Sequence, residues 1–305
     1  MNDVYYQTCI LLFTIFLGWL LRRLGVFAQS DARTISKIMM YVTLPCVVIK
    51  NLNGVSLTMD ILAAALVGLG ANSFFFLLAL ITSRGSDRDD KVVKIFSFTS
   101  FNIGSYAIPV LSAFVSPAAM AGVLAFNYPG TALFTYGVAP TAANMVYGSG
   151  SRSNSLRLLR DNLLHNVPTV TCVLMLLLSL FHLALPDKIA GVFTSISGAN
   201  STLAMLSIGI LLDLHLPREE LGRDAHIILL RLLAAVLSAC AIYFLLPASL
   251  ELRLALVLVV FAPIASCNPV LALHCGYRGS RVAVINSMYL LISIACMSLL
   301  TLLLY

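Results

Sequence analysis

The chain has few charged residues. Only 10% of its 305 residues are Asp, Glu, Lys or Arg, whereas 60% are hydrophobic. Soluble domains carry roughly 25% charged residues, so this scarcity excludes a water-soluble globular protein. A helix that crosses a bilayer needs about 20 apolar residues, and the length therefore suits several spans joined by short loops. The composition predicts an all-α integral membrane protein without a separate soluble domain.

The chain also lacks the motifs that carry enzyme chemistry. It has no His/Glu metal motif, no nucleophile elbow and no phosphate-binding glycine loop. Its seven cysteines are scattered through apolar runs, are odd in number and show no metal-ligand spacing, which is typical of small core residues. We therefore expect neither an enzyme nor a bound metal or cofactor.

Long apolar stretches account for most of the chain. Their lengths and the polar segments between them predict ten transmembrane helices, called spans 1 to 10 below. Span 5 is long enough to tilt or to kink at Pro129, Gly130 and Pro140. The ten predicted spans cover residues 4–21, 35–53, 60–82, 92–114, 118–147, 162–183, 189–213, 226–247, 252–273 and 282–304.

The basic residues predict the orientation. Sixteen of the nineteen lysines and arginines lie in or beside the loops that follow spans 1, 3, 5, 7 and 9, and the exceptions are Lys50, Lys188 and Arg253. Cytoplasmic loops hold the excess of basic residues, so both termini are predicted on the outer, periplasmic side of the inner (plasma) membrane. This distribution explains the net charge of +6 without nucleic acid. Arg231, about one turn inside span 8, is expected to snorkel to the cytoplasmic surface, with attraction of an anion as the alternative.

Two spans contain helix-breaking residues at matching places. Span 4 contains FNIGSYAIPVLSAF (residues 101–114) and span 9 contains FAPIASCNPVLALHCG (residues 261–276). Proline interrupts a helix, and in hydrocarbon the freed backbone groups are tolerated only where they are buried in protein or line a polar cavity. Two such breaks in corresponding positions of two halves point to a transport site. The polar segment Gly148 to Asp161 divides the chain into residues 1–150 and 151–305, and an odd number of spans in each half requires the second half to be inverted.

Four stretches in order carry a resemblance. They are FLGWLLRRLGVFAQSDARTISKIMMYVTLPCVVIKNL, FNIGSYAIP, DNLLHNVPTVTCVLMLLLSLFHLALPDKIAGVF and LAMLSIGILLDL. Together they resemble the auxin efflux carrier family, the PIN-like membrane transport proteins. The resemblance implies a fold of the bile-acid-symporter type: two inverted five-helix repeats, with broken spans 4 and 9 crossing. It also implies a scaffold of spans 1, 2, 6 and 7 and a transport domain of spans 3–5 and 8–10 that moves as an elevator. The implied oligomer is a homodimer through the scaffold. The implied substrates are small organic anions such as auxins, malate or malonate.

The breaks suggest which residues bind an anion. Unpaired N–H groups and the positive end of a helix dipole suit a carboxylate, and asparagine amides donate hydrogen bonds to it. Gly104 permits close approach, and prolines are well placed to start the second half-helices. The alternative is that these residues are only kinks, with the asparagines satisfying backbone groups. The resemblance adds two residues of span 5 near the substrate, Asn127 and Tyr128. The predicted substrate-binding residues are Asn102, Gly104, Ser105, Pro109, Asn127, Tyr128, Pro263, Ser266, Asn268 and Pro269.

Carboxylates are absent from the interior of the predicted spans. All thirteen acidic residues fall in predicted loops or at span ends, whereas proton relays and many cation sites use intramembrane carboxylates. We therefore expect transport driven by the anion gradient and the membrane potential. A sodium-coupled symporter of the bile-acid type, using backbone carbonyls and amide oxygens, and a proton-coupled symporter are the alternatives. A channel or a membrane receptor without transport activity is a less favoured reading.

Overall fold

The computed structural model describes residues 2–28, 30–147, 160, 166–212 and 218–305, without the side chains of 2–5 and 218–223. Most of the predicted linker, Gly148 to Asp161, lies outside the described residues. Within them every regular element is a helix and no β-strand occurs, which confirms the all-α prediction. The α-helices are α1 (Asn2–Arg23), α2 (Asp31–Ile38), α3 (Leu44–Leu52), α4 (Met59–Thr82), α5 (Arg88–Phe98), α6 (Ile108–Leu111), α7 (Pro117–Phe126), α8 (Ala139–Tyr147), α9 (Val167–Leu180), α10 (Asp187–Ser197), α11 (Ala199–Leu211), α12 (Arg218–Leu245), α13 (Leu250–Val260), α14 (Asn268–His274) and α15 (Arg281–Leu304).

Five helical stretches of the described chain are long and apolar enough to cross a membrane. They are Asp31–Leu52, Met59–Thr82, Asp187–Leu211, Asp224–Leu245 and Arg281–Leu304. Their length and composition support a membrane protein with several spans. The count of ten spans and the inverted repeat remain predictions.

Widened, π-helical turns connect several of the α-helices. They cover Met39–Thr43, Ile103–Ala107, Asn127–Ala132 and Phe134–Val138. After three of them the next residue donates its N–H to the carbonyl five residues back, and a proline follows immediately: Pro45, Pro109 or Pro140. A proline ring clashes with the carbonyl four residues back, and a wider turn accommodates it without ending the helix.

A close contact between glycines joins α1 and α11. A Cβ atom on Gly209 would lie 2.0 Å from the carbonyl oxygen of Ile15, and one on Gly18 would lie 2.3 Å from that of Leu206. Small residues let helix backbones approach in a membrane. α11 also packs on α2, and α3 packs on α9 and α10, so that these six helices form one contiguous group.

A second group of helices packs around α4. This helix contacts α5, α7 and the π-helical turn that begins at Asn127, while α13 contacts α7 and α12. Gly130 of that turn lies against the backbone of Gly68 in α4, because a Cβ atom at Gly130 would be 2.5 Å from the carbonyl carbon of Gly68. The turn therefore sits directly on α4.

Two interrupted helices meet at their breaks. α5 ends at Phe98, and the next helical turn begins at Ile103; α13 ends at Val260, and α14 begins at Asn268. The backbone N–H of Asn102 donates to the carbonyl oxygen of Pro263 at 2.7 Å. Ser100 has a φ of 69°, a conformation that is uncommon outside glycine and concentrates at functional sites.

A salt-bridge cluster ties α5, α12 and α15 together at one end of the fold. Arg281 donates to both carboxylate oxygens of the buried Asp224, from Nε at 3.1 Å and from Nη2 at 2.5 Å. Its Nη1 lies 3.0 Å from Asp90 Oδ1, and Lys94 Nζ lies 2.7 Å from Asp90 Oδ2. Bidentate arginine–carboxylate pairs are specific in geometry, so this cluster fixes the three helix ends relative to one another.

Candidate functional site

A cavity of about 570 Å³ lies beside the two helix breaks. Its walls come from α2, from both breaks, from the π-helical turns of span 5, from the first turn of α9 and from the N-terminal half of α15. The polar residues among its described lining are Arg33, Ser36, Asn102, Ser105, Asn127, Tyr128, Thr131, Thr135, Tyr136, Asn166, Thr169, Ser266, Cys267, Asn286 and Ser287.

The structure brings most of the predicted binding residues to this cavity. Those that line it are Asn102, Gly104, Ser105, Asn127, Tyr128, Ser266 and Pro269. Pro109, Pro263 and Asn268 do not line it. Pro109 and Pro269 each lie in the first turn of a short helix, α6 and α14, where proline is well tolerated.

Two lining asparagines have free side-chain amides. Neither the amide of Asn102 nor that of Asn127 makes a hydrogen bond within the described part of the chain. Asn102 is the last residue of the first break, and its backbone N–H already donates to the carbonyl oxygen of Pro263. Asn127 begins a widened turn. Each amide can both donate and accept a hydrogen bond, so the two supply the cavity with adaptable polar contacts.

Asn268 has a different role from Asn102. It is 1% exposed, and its Nδ2 donates to the carbonyl oxygens of Phe96 at 2.7 Å and Thr99 at 3.2 Å and to Ser100 Oγ at 3.0 Å. These acceptors belong to the end of α5 and the break after it. For this residue the alternative interpretation, an asparagine that satisfies freed backbone groups, describes the observed contacts.

Tyrosines add hydroxyls to the same wall. The buried Tyr128 hydroxyl has no hydrogen-bond partner among the described residues, and buried polar groups are normally paired. The Tyr136 side chain interacts with Cys267 of the second break and with Asn166, whose Oδ1 accepts the Thr169 N–H at the start of α9. Tyr136 therefore connects span 5 with both the second break and the start of α9, whereas the Tyr128 hydroxyl is left without a partner in the described residues.

Several lining residues were not predicted as site residues. Asn286 of α15 donates to the carbonyl oxygen of Ala265 in the second break at 3.2 Å. A lone asparagine within an apolar span is a signal that sequence reasoning can use. Arg33 is one of the sixteen basic residues in or beside the loops predicted to be cytoplasmic, and nothing local distinguishes it from the others.

The charged side chains in the described lining of the cavity are of one sign, positive. Arg33 is the one charged residue among the described residues that line it, and none of those lining residues is Asp or Glu. No group of three His, Cys, Asp or Glu side chains that could hold a metal ion occurs in the described residues. The described lining therefore carries a net positive charge.

The prediction for Arg231 was wrong. Its side chain is 1% exposed and points into the protein, where the guanidinium donates to the carbonyl oxygens of Ser97, Phe98 and Ser100. The unwound end of α5 presents carbonyls without helical partners, and these attract the guanidinium more strongly than the distant interface does.

Interrupted helices beside a polar cavity, in a chain with several apolar helices, indicate a multi-pass membrane protein. Residues 3–143 match the model of the family described as membrane transport protein, which includes auxin efflux carrier and PIN-like proteins. The predicted resemblance is confirmed over these residues. This is a transporter family and not an enzymatic one. No curated protein matches the chain.

Proposed function

We propose that the protein carries a small organic anion, a carboxylate such as malate, malonate or an auxin-like acid, across the plasma membrane by alternating access. One observation carries the proposal: the cavity at the two breaks presents the free amides of Asn102 and Asn127 and no carboxylate in its described lining. Amides and hydroxyls without a competing negative charge suit a carboxylate. Sodium- or proton-coupled symport remains the alternative form of the same function.

The proposed binding residues follow from their place in the cavity. Asn102 and Asn127 donate to the carboxylate, with Ser105, Tyr128 and Ser266 as further hydroxyl contacts. Gly104 and Pro269 shape the wall, because a Cβ atom on Gly104 would already lie 3.0 Å from Leu44 Cδ2. Asn268, Pro109 and Pro263 act indirectly in this proposal, by holding the two breaks together.

The cavity supports an inward-facing state. Arg33, Leu211, Ala283 and Asn286 belong to helix ends that the distribution of Lys and Arg assigns to the cytoplasm. Towards the predicted outer side, Tyr106 and Val110 of span 4 lie with Thr8 and Thr301 around a void of only about 20 Å³. An anion would enter from the cytoplasm and leave when this second contact opens.

The moving parts are proposed from packing and resemblance together. The close contact of Gly18 with Gly209 supports a rigid scaffold of spans 1, 2, 6 and 7. Spans 3–5 and 8–10 form the transport domain, and an elevator motion would carry the cavity past the scaffold. A homodimer through the scaffold and termini on the outer side complete the proposal.

Uptake of labelled acids into proteoliposomes tests it. A panel of mono- and dicarboxylates is offered to the wild type, to the Asn102→Ala/Asn127→Ala double variant and to Asn51→Ala. Asn51 is a matched control, because its Nδ2 donates to Val47 O within α3, away from the cavity. We expect saturable uptake of at least one acid, lost in the double variant and retained in the control.

Two outcomes would contradict the proposal. No uptake of any acid by folded wild type, with or without sodium or a pH gradient, would exclude organic-anion transport. Unchanged uptake in the double variant would move the site away from the cavity. Counterflow separates a carrier from a channel, because unlabelled acid trapped inside accelerates labelled uptake only through a carrier.

A further inference from the structure

Arg231 of α12 is buried against the first helix break. Its side chain is 1% exposed. Nη1 donates to Ser97 O at 2.9 Å and to Phe98 O, and Nη2 donates to Ser100 O at 2.7 Å. These three carbonyls form the end of α5 and the start of the break. The Arg231 guanidinium therefore donates hydrogen bonds to carbonyl oxygens that the interrupted helix leaves without helical partners.

No anionic side chain of the described residues lies beside the Arg231 guanidinium. Among the described residues, no carboxylate oxygen lies within 4.0 Å of its guanidinium. The carboxyl end of a helix carries about half a negative charge, which is the compensation that the carbonyls supply. Aromatic rings add to it, with the guanidinium carbon 5.2 Å from the ring centre of Phe75, 5.3 Å from Phe101 and 4.9 Å from Tyr289.

The same group of oxygens suits a metal cation. In secondary transporters, unwound backbone carbonyls and the carboxyl ends of half-helices coordinate the coupling Na⁺. Here the Arg231 guanidinium contacts such carbonyls, and arginine cannot lose its charge in a protein. A guanidinium tethered to α12 is neither released nor taken up during transport.

We propose that the Arg231 guanidinium is a built-in cation at the carbonyl cluster of Ser97, Phe98 and Ser100, in the place that a coupling Na⁺ would otherwise take. The carrier then moves its anion without sodium. The structural part of this inference stands on the contacts alone. The part that concerns transport rests on the proposed function.

Removing the guanidinium should make the protein depend on a cation from solution. In Arg231→Ala, three carbonyls lose their donor and a cavity opens beside them. We expect a lower Tm in choline chloride and a rise of about 2–4 °C when about 50 mM Na⁺ or guanidinium replaces choline, because a ligand that binds only the folded state stabilises it. The wild type should show no such difference between choline and Na⁺.

Arg253→Ala is the matched control for this measurement. Arg253 also donates to a backbone carbonyl, Tyr243 O at 3.0 Å, and its guanidinium carbon lies 5.8 Å from the ring centre of Tyr243. It lies at the opposite end of the predicted membrane-spanning region. Its replacement should leave the Tm insensitive to the choice of cation.

Stability and sodium binding test the inference without any organic anion. A folded Arg231→Ala whose Tm is the same in choline, Na⁺ and guanidinium would overturn it. If Arg231→Ala does not fold, binding of radioactive Na⁺ to the wild type is measured instead. Saturable Na⁺ binding by both the wild type and the conservative variant Arg231→Lys would overturn the inference. Absence of Na⁺ binding to the wild type would support the inference.

Uptake then tests the consequence for coupling. We expect wild-type uptake of the transported acid to change less than twofold when choline replaces Na⁺, and residual uptake by Arg231→Ala to rise severalfold with Na⁺. Sodium-dependent uptake by the wild type would overturn the inference while leaving organic-anion transport intact. Absence of any uptake would instead contradict the proposed organic-anion transport. The Tm measurements on Arg231→Ala would still test the structural part of the inference.

Discussion

The backbone N–H of Asn102 donates to the carbonyl oxygen of Pro263 at 2.7 Å, across 161 positions of the chain. This hydrogen bond joins the break after α5 to the break after α13. It leaves the Asn102 side chain free to face the cavity, while Asn268 turns its own amide to the backbone of the first break. Two asparagines in matching sequence contexts therefore have different roles: Asn102 faces the cavity, and Asn268 bonds to the backbone of the first break.

Asn268→Ala should destabilise the protein. The substitution removes the donor to the carbonyl oxygens of Phe96 and Thr99, and an unsatisfied buried acceptor costs about 1–3 kcal/mol. We expect a Tm several degrees below that of the wild type in detergent. Asn51→Ala removes only a bond within one helix and should lower the Tm less. An equal Tm for Asn268→Ala and the wild type would show that the break does not need this donor.

Asn127→Asp should reduce anion uptake more than Asn127→Ala does. The change is nearly isosteric but puts a carboxylate into a cavity whose described lining has none. Two like charges about 4 Å apart repel by about 4 kcal/mol at an effective dielectric constant of 20, so we expect uptake to fall at least tenfold. Initial uptake rates at pH 7.5 and pH 5 measure this, and protonation of the new carboxyl should restore part of the rate at the lower pH. Asp and Ala variants with the same rate would argue against an anionic substrate at this position.

Arg33→Ala should weaken substrate capture in a salt-dependent way. Arg33 is exposed and is the one charged residue in the described lining of the cavity. A positive charge at an entrance raises the local concentration of anions, so we expect the KM to rise about threefold to tenfold at low salt with little change in kcat. The difference should shrink towards 1 M salt, where the Debye length is about 3 Å. Arg33→Lys serves as the control that keeps the charge, and a KM that rises equally in both variants would point to shape and not to charge.

Asp90 makes the fold sensitive to acid. Partial burial by itself would raise the pKa of this carboxyl, but hydrogen bonds from Lys94, Ser86 and Arg281 outweigh it and lower the pKa to about 2. The unfolded value is about 3.9. The stabilisation by Asp90 is therefore fully present above about pH 4 and is lost as the pH falls towards 2. We expect the Tm difference between the wild type and Asp90→Asn to be largest near pH 5 and to narrow steadily on acidification. A difference that is constant from pH 5 to pH 2.5 would exclude a role for this ionisation.

Gly209→Ala should disrupt the contact between α1 and α11. The new Cβ atom would lie 2.0 Å from the carbonyl oxygen of Ile15, and backbone atoms cannot yield as a flexible side chain can. We expect a large loss of stability, at the upper end of the roughly 1–3 kcal/mol that overpacking usually costs. Gly191→Ala is the control, because a Cβ atom there meets nothing within 4 Å and alanine favours the helix by about 0.5–1 kcal/mol. Measured Tm values of the two variants should therefore move in opposite directions.

The sequence by itself determined the class of this protein. The scarcity of charge and the long apolar runs require helices in a bilayer, and the order of four stretches identified the family that residues 3–143 match. The two helix breaks were also predictable, because proline and asparagine within an apolar run act on their own neighbours. Seven of the ten predicted binding residues line one cavity, and their binding of a substrate stays a prediction.

The hydrogen-bond partners of individual polar side chains depend on the tertiary structure and could not be predicted from the sequence. Arg231 and Ser97 are 134 positions apart, and Asn268 and Phe96 are 172 apart, so no local pattern indicates that they meet. For an arginine one turn inside a span, the sequence predicts a side chain that extends to the membrane surface. It turns inward here because the end of an interrupted helix offers carbonyl oxygens that nothing else nearby would satisfy.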